Sequence, residues 1–436
     1  MRKLAMVVLM TGPLFAGGVY AQQTVNKDNV YEELNLFDEA FERIRQDAVD
    51  PVTDAKLIGA AIAGMLSGLD PHSSYLDAAE FKSSQSPAGE DAANLGLAVT
   101  IESGQLKVIS PQDGSPAARA GILPGDIIYT IDNEPTYDLT LGEAEQKLRG
   151  PSGSELSLTT RRGGGSPVDL KVKREPYKLQ TVIGRIEGGN VGYLRIAGFD
   201  AGTAAALTDI VQDLRRKIGN KPVGFILDLR NNPGGGFDAA VAAADAFLDK
   251  GDIVVIKGRK PENTKHIGAS PGDLVKGLPL VALVNGGTAR EAELVAGALH
   301  DNHRAVLIGT KTFGESSIES VIPLGEGGGA IRLTTARFTT PSGREIQGKG
   351  LDPDLVVTPL RLAKLEHLEG RREADLPGAL KNPDQSAAGG AATPSADTPP
   401  APSVANDVIG SANDEQLTEA IDVLRGLSLA GRRASG

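Results

Sequence analysis

Hydrophobic and polar positions follow three different rhythms along this chain. Near the start, YEELNLFDEAFERI places Leu34, Phe37, Ala40, Phe41 and Ile44 at helical spacing, and KLIGAAIAGMLSGL repeats the pattern. The run LDPHSSYLD then interrupts it with turn residues. A helical segment is expected from about 26 to 79. It could be a plain subdomain, a dimer-forming element or a cap that gates substrate.

From about 94 to 175 the rhythm shortens to that of strands. LGLAVTIE and QLKVIS alternate, and SPAARAG makes a helical turn ending at Gly121. ILPGDIIYTIDNEP offers two strand edges around Pro-Gly-Asp. LTLGEAEQKLRG reads as a helix with Gly150 suited to its C-terminal cap. ELSLTTRRGGG and PVDLKVKRE close a hairpin. From about 181 to 358, apolar strands (NVGYLRI, VGFILDLR, PLVALVN, AVLIGT) alternate with helices (AALTDIVQDLRRKI, FDAAVAAADAFL, AREAELVAGALHD). That alternation predicts a sheet covered by helices. GEGGG at 325–329 lies between strands and is expected to be a hairpin loop. Beyond about 375, GGAATPSADTPPAPS has the composition of a disordered linker, and EQLTEAIDVLRGL that of a closing helix.

Composition narrows the chemistry. A formal net charge of −11 argues against a nucleic-acid binder held by phosphate attraction. With no cysteine, thiolate catalysis, thiolate metal ligation and disulfides are excluded. The five histidines, His72, His266, His300, His303 and His367, form no dense ligand motif, so no metal or cofactor is expected. Arg2 and Lys3, an apolar segment and Val19-Tyr20-Ala21 make a secretory signal peptide with cleavage expected before Gln22. A periplasmic or secreted location follows, or a membrane anchor if the segment is not cut.

The second segment resembles a PDZ domain, with Leu95-Gly96-Leu97 at the position of the carboxylate-binding loop, where backbone N–H groups capture a peptide's C-terminus. The whole run, from about Leu36 to Leu360, resembles the carboxyl-terminal processing, or tail-specific, serine proteases. LDPHSSYLD, SPAARAGILPGD, LDLRNNPGG, VAGALHD, IGTKTFG and TPSGREIQGKGLDPD carry that resemblance. It implies an α+β multidomain chain: signal peptide (1–21), helical N-terminal segment (22–92), PDZ domain (93–176), protease-like α/β core (177–375), Pro/Ala/Ser-rich linker (376–412), and C-terminal helix and tail (413–436).

The family's catalytic set is a serine, a lysine base and a glutamine that supports the lysine. The serine follows Gly-Ser/Thr-Ala. Here Gly287-Thr288-Ala289 is followed by Arg290. The lysine follows Thr-Phe-Gly. Here Thr312-Phe313-Gly314 is followed by Glu315, and Glu319 stands where the glutamine would. Arginine has no nucleophilic atom at neutral pH, and a serine without a base is a weak nucleophile. The flanking motifs fix the register, so Lys311 is not a displaced base. The resemblance places an oxyanion hole at Gly234 and Gly235 of the NPGG turn and at the N–H of Glu291; a tight glycine turn of purely structural purpose fits the same residues. An ion pair between Arg290 and Glu315, with Glu319 or Glu291 assisting, is expected in the old catalytic centre.

These readings predict a proteolytically inactive homologue. It would bind protein C-terminal tails or unfolded segments through its PDZ domain, or regulate an active protease, and a homo-oligomer is compatible with either. Two alternatives stay open. One is an active serine-type endopeptidase that cuts periplasmic proteins near their C-termini with residues outside the family pattern, Thr288, Ser316 and Ser317 being the nearby hydroxyls. The other is a structural partner in a cell-envelope assembly.

Overall fold

The computed structural model describes residues 27–85, 92–137, 139–219, 222–325, 327–358, 408–411 and 413–434. The expected signal peptide lies outside the described residues, as does the linker apart from residues 408–411. The chain divides into two compact units at Ile62/Ala63. In the first, helix α1 (Lys27–Asp47) stacks Phe37 on Phe41 with ring centroids 6.5 Å apart, and helix α2 (Asp54–Ser67) begins. Arg45 and Asp54 link the two helices at 3.2 Å.

In the second unit, strand β1 (Ser74–Leu76) precedes a six-stranded antiparallel sheet: β2 (Leu97–Glu102), β3 (Gln105–Pro111), β4 (Ile127–Ile131), β5 (Glu155–Arg161) and β6 (Val168–Lys173) are hydrogen-bonded in that order, and the short Glu134–Pro135 strand also pairs with β4. Alternate residues point inward. Leu106, Val108, Ile128, Leu156 and Leu158 are buried in one core with Leu95 and Ile122. Helix α3 (Leu141–Leu148) begins with a capping box in which Thr140 and Glu143 bond each other's backbone N–H, and it packs beside edge strand β2.

The core sheet runs β7 (Val182–Glu187), β8 (Val191–Ile196), β9 (Gly224–Asp228), then β12 (Leu280–Val284), β13 (Val306–Gly309) and β16 (Leu355–Val356). Only the β7–β8 pair is antiparallel. Because the central strands are buried on both faces, they read as continuous apolar runs. One face receives helices α4 (Thr203–Ile218), α5 (Phe237–Asp245) and α6 (Glu291–Asp301), against Leu194, Phe225, Leu227 and Ala282. The other face is closed by helix α7 (Glu415–Ala434), whose Leu417, Ala420 and Leu424 meet Tyr193, Ile226, Val281 and Leu283.

The C-terminal segment, expected as a closing helix, packs against the core sheet. It is fixed by Arg230, which is fully buried and pairs with Asp228 and with Asp414 at the helix start. Gln416 accepts a further bond from Arg230 at 2.9 Å.

A second, antiparallel sheet lies within the core segment. It joins β1 to β15 (Ala330–Thr339), β15 to β10 (Asp252–Gly258), and β10 to β11 (Lys265–Gly268), with β14 (Ser317–Pro323) also on β15. The β14–β15 turn contains the glycine-rich 325–329 segment, the expected hairpin.

Candidate active site

Strand β12 ends at Val284, and the chain turns from Asn285 through Gly286–Ala289 into α6. Asn285 stabilises this turn. Its Oδ1 accepts from Gly287 N at 3.0 Å and from Asn231 N at 2.9 Å, and its Nδ2 donates to Asn231 Oδ1 at 2.7 Å. Thr288 Oγ1 donates to Leu229 O at 2.9 Å, so its proton is committed to the main chain. Arg290 sits at the apex with φ 52° and ψ −120°. A side-chain-bearing residue adopts such a conformation at a cost of about 1–3 kcal/mol, and only when its surroundings enforce it. This strand-to-helix elbow displays one side chain outward. It is retained although no nucleophile is displayed.

The enforcing group is Glu293, one turn along α6. Its carboxylate is completely buried and accepts from Gly314 N at 2.8 Å, Glu315 N at 2.9 Å and Arg290 N at 3.2 Å, and from the Thr312 hydroxyl. Burial pushes this carboxyl up to about 8, against the opposing pull of those donors.

Around the elbow the charged side chains converge. Arg290 Nε lies 3.4 Å from Glu315 Oε1, and Arg290 Nη2 lies 3.6 Å from Glu319 Oε2. The expected ion pair is present, with Glu319 as the second acid. A register shift between Ile318 and Glu319 on β14 accompanies the placement of that acid. The contacts are coulombic and not hydrogen-bonded: Arg290 Nε, Glu315 Oε2 and Glu319 Oε1 are buried atoms without a hydrogen-bond partner. Arg290 as a whole keeps 40% of its side-chain surface, so its Nε is inside while its tip reaches solvent. Burial works against the Arg290 charge, but Glu315, Glu291, Glu319 and Glu145 of α3 outweigh it and hold the guanidinium above its ordinary value. Burial raises the Glu315 carboxyl, with Arg290 and His72 opposing.

His72 was not anticipated at this centre. Its Nδ1 is 3.6 Å from Glu315 Oε1. Asp70 shapes the turn that brings it there, accepting from His72 N and Ser73 N, each at 2.8 Å, and from Thr334 Oγ1 at 3.1 Å. The LDPHSSYLD motif was the available signal, since a rigid Asp-capped turn ahead of β1 carries a side chain across to β15.

The oxyanion turn departs from expectation in two ways. Gly234 N–H is already bonded to Asn232 Oδ1 at 2.9 Å, so Gly234 is not a free donor. Its role is steric. At φ 101°, a Cβ there would lie 2.3 Å from Glu291 Oε2. Gly235 N–H does donate, and its acceptor is the Glu291 side chain, 3.0 Å away. Glu291 was expected to contribute its backbone N–H; it also contributes an anion. At the PDZ loop, Gly96 N–H is likewise bonded, to Asn94 Oδ1 at 2.8 Å, while Leu95 is buried in the core and Leu97 begins edge strand β2.

Other candidates are placed away from any catalytic arrangement. Lys311 pairs with Asp352 at 3.1 Å. Ser316 N–H bonds Gln347, and Ser317 Oγ is buried without a partner. His300 pairs with Asp301 and Asp354. Among the described residues no cluster of His, Asp or Glu is arranged to hold a metal.

A carboxy-terminal-processing protease of Bartonella bacilliformis is 43% identical over 406 residues, spanning 92% of this chain and 91% of that protein. The chain belongs to the carboxyl-terminal processing protease family. The model of peptidase family S41 matches residues 190–357 of this family member, a PDZ domain model matches 107–162, and the N-terminal domain of the activating protease CtpB matches 16–80. The carboxy-terminal processing protease CtpA of Bacillus subtilis is 33% identical, over 84% of this chain and 79% of its own length. Among solved structures, the photosystem II D1 C-terminal processing protease superposes with a TM-score of 0.65 at 28% identity, covering 74% of this chain and 93% of its own. The matches span the chain from the PDZ sheet to the elbow that bears Arg290, with Glu315 and Glu319 beside it.

Proposed function

We propose that this protein binds protein C-terminal tails or unfolded segments without cutting them, or regulates an active protease of its own family. The observation that carries this reading is Arg290 on an intact elbow, its guanidinium against Glu315 and Glu319. Proteolysis by this scaffold needs an oxygen nucleophile and a neutral base at that point. A guanidinium supplies neither, and Glu315 is engaged by a cation. The active-endopeptidase alternative loses support because Thr288 Oγ–H is committed to a carbonyl and Lys311 to an acid.

Tail binding is supported by edge strand β2 beside helix α3, where an extended peptide can add as a further strand. The pre-bonded Gly96 N–H means that the carboxylate must be met by other donors of the loop or displace Asn94. The sequence signal supports export, so the working compartment is proposed to be the periplasm or the exterior. The deciding experiment pairs casein hydrolysis with fluorescence anisotropy of labelled tail peptides. Saturable binding, lost on C-terminal amidation, with no turnover above an empty preparation, is the expected result. Turnover that persists after removal of every co-purifying protease would overturn it.

A further inference from the structure

In a working acyl-transfer centre, the backbone donor of an oxyanion turn faces the place where negative charge develops during reaction. In this chain that donor, Gly235 N–H, is already taken. Glu291 Oε2 lies 3.0 Å from it, and the Glu291 residue is only 7% exposed. Gly234 makes the approach feasible, since any side chain there would collide with the same oxygen. Glu291 follows Arg290 directly, at the first position of α6, so its carboxylate is tethered within reach and the positive end of the helix favours it there. Arg290 also gains from this acid. The carboxylate is hydrogen-bonded at the turn while it also acts on Arg290 through space.

We propose that the Gly235 turn is a carboxylate-binding site whose resident ligand is the chain's own Glu291, and that this internal ligand excludes the carboxylate of a peptide chain terminus from the old reaction centre. The inference rests on the reading that this centre is retired, and adds the Glu291 side chain to the three altered positions at Arg290, Glu315 and Glu319. Shortening Glu291 opens the site. Replacing it with its amide keeps the site filled, because the Gln carbonyl oxygen can accept from Gly235 N–H in the same place.

The test compares wild type, Glu291→Ala and Glu291→Gln for binding of N-acetyl-alanine, a minimal chain terminus, by calorimetry and by crystal soaking, with N-acetyl-alaninamide as the control. Glu291→Ala should bind N-acetyl-alanine at least ten-fold more tightly than wild type, with its carboxylate on Gly235 N–H. Glu291→Gln should resemble wild type, and the amide should gain nothing. Equal affinity in all three proteins overturns the proposal, as does equal gain in the Gln and Ala variants, which would assign the effect to charge repulsion. Should Glu291→Ala fail to fold, Glu291→Ser carries the same comparison. Tail-peptide binding at β2 is measured separately in each variant, so loss of PDZ binding throughout, with the Ala-specific gain intact, would refute the tail-binding function and leave this site standing.

Discussion

Glu293 Oε2 lies 2.9 Å from the backbone nitrogen of Glu315, so a buried carboxyl group, and not the neighbouring charge pair, ties the Arg290 elbow to the segment bearing Glu315. The same carboxylate holds Arg290 N and Gly314 N. The frame of the elbow is therefore separable from the charge cluster that it displays. Removing Glu293 leaves several buried N–H groups unbonded, at about 1–3 kcal/mol each. Glu293→Ala should lose at least about 3 kcal/mol in urea denaturation, and more than Glu319→Gln loses. Equal losses would mean that the charge cluster holds the elbow.

The same residue gives the chain a pH signature. The Glu293 carboxyl rises from 4.5 to about 8 on folding. Between those values the folded chain holds a proton that the unfolded chain has released, so stability falls as pH rises. Its contribution is complete below about pH 4.5 and is lost as pH rises toward 8. Glu315 is displaced in the same direction. The unfolding free energy of wild type should decline from pH 5 to 8, and Glu293→Gln should flatten that decline. A wild-type curve that climbs across this window would contradict the assignment.

If the centre is retired and Glu291 fills the turn, as proposed, a reactive variant should take four changes. Arg290→Ser/Glu315→Lys/Glu319→Gln rebuilds the serine, base and support, but leaves Glu291 on Gly235 N–H. A variant that adds Glu291→Ala should exceed the triple variant by at least about ten-fold in labelling by a fluorophosphonate, the scale of one lost oxyanion donor being about 10²–10³ in rate. A triple variant as reactive as the quadruple one would argue that Glu291 leaves the turn freely.

Much of this organisation was legible in the chain itself. Helical and strand periodicities marked the elements, and the flanks Gly287-Thr288-Ala289 and Thr312-Phe313-Gly314 fixed which three positions had changed. Contacts set by side-chain direction were not legible. Nothing in the spacing of Glu291 and Glu293 says that one turns back onto Gly235 and the other inward to the 312–315 segment. His72 was invisible for a similar reason, since its approach to Glu315 depends on β1 pairing with β15, 261 positions apart at the Ser73–Thr334 contact. The buried role of the last helix was hidden by the compositional break before it, which marked a boundary in sequence but not in the core.

Gly96 offers a test of the PDZ loop. Its φ is 62°, and a Cβ would lie 2.3 Å from Ser115 Cβ. Gly96→Ala should therefore distort the loop and weaken tail-peptide binding by at least about ten-fold, a loss of roughly 1.4 kcal/mol. Anisotropy titration of one peptide against both proteins checks it, and unchanged affinity would place the carboxylate elsewhere.

The latch of α7 should be equally exposed to mutation. Arg230 and Asp414 are both buried, so Asp414→Ala removes one of the two carboxylates that neutralise the guanidinium and leaves it to Asp228 alone. A loss of about 3–5 kcal/mol is expected, as for other broken buried pairs. Limited proteolysis should release the final helix from the variant first. A variant that resists cleavage as wild type does would remove the latch from the account.

That latch also sets an order on biosynthesis. Among the described residues, the sheet face formed by Tyr193, Ile226, Val281 and Leu283 is covered by α7, which follows the last core strand after residues 357–414. While the chain is still emerging, whether from a ribosome or across a membrane, that face has no cover, and an uncovered apolar sheet is an aggregation hazard. The core can close only once residues 414–424 arrive. A chain shortened at its end would thus carry an apolar sheet face outward, with nothing of its own left to close over it.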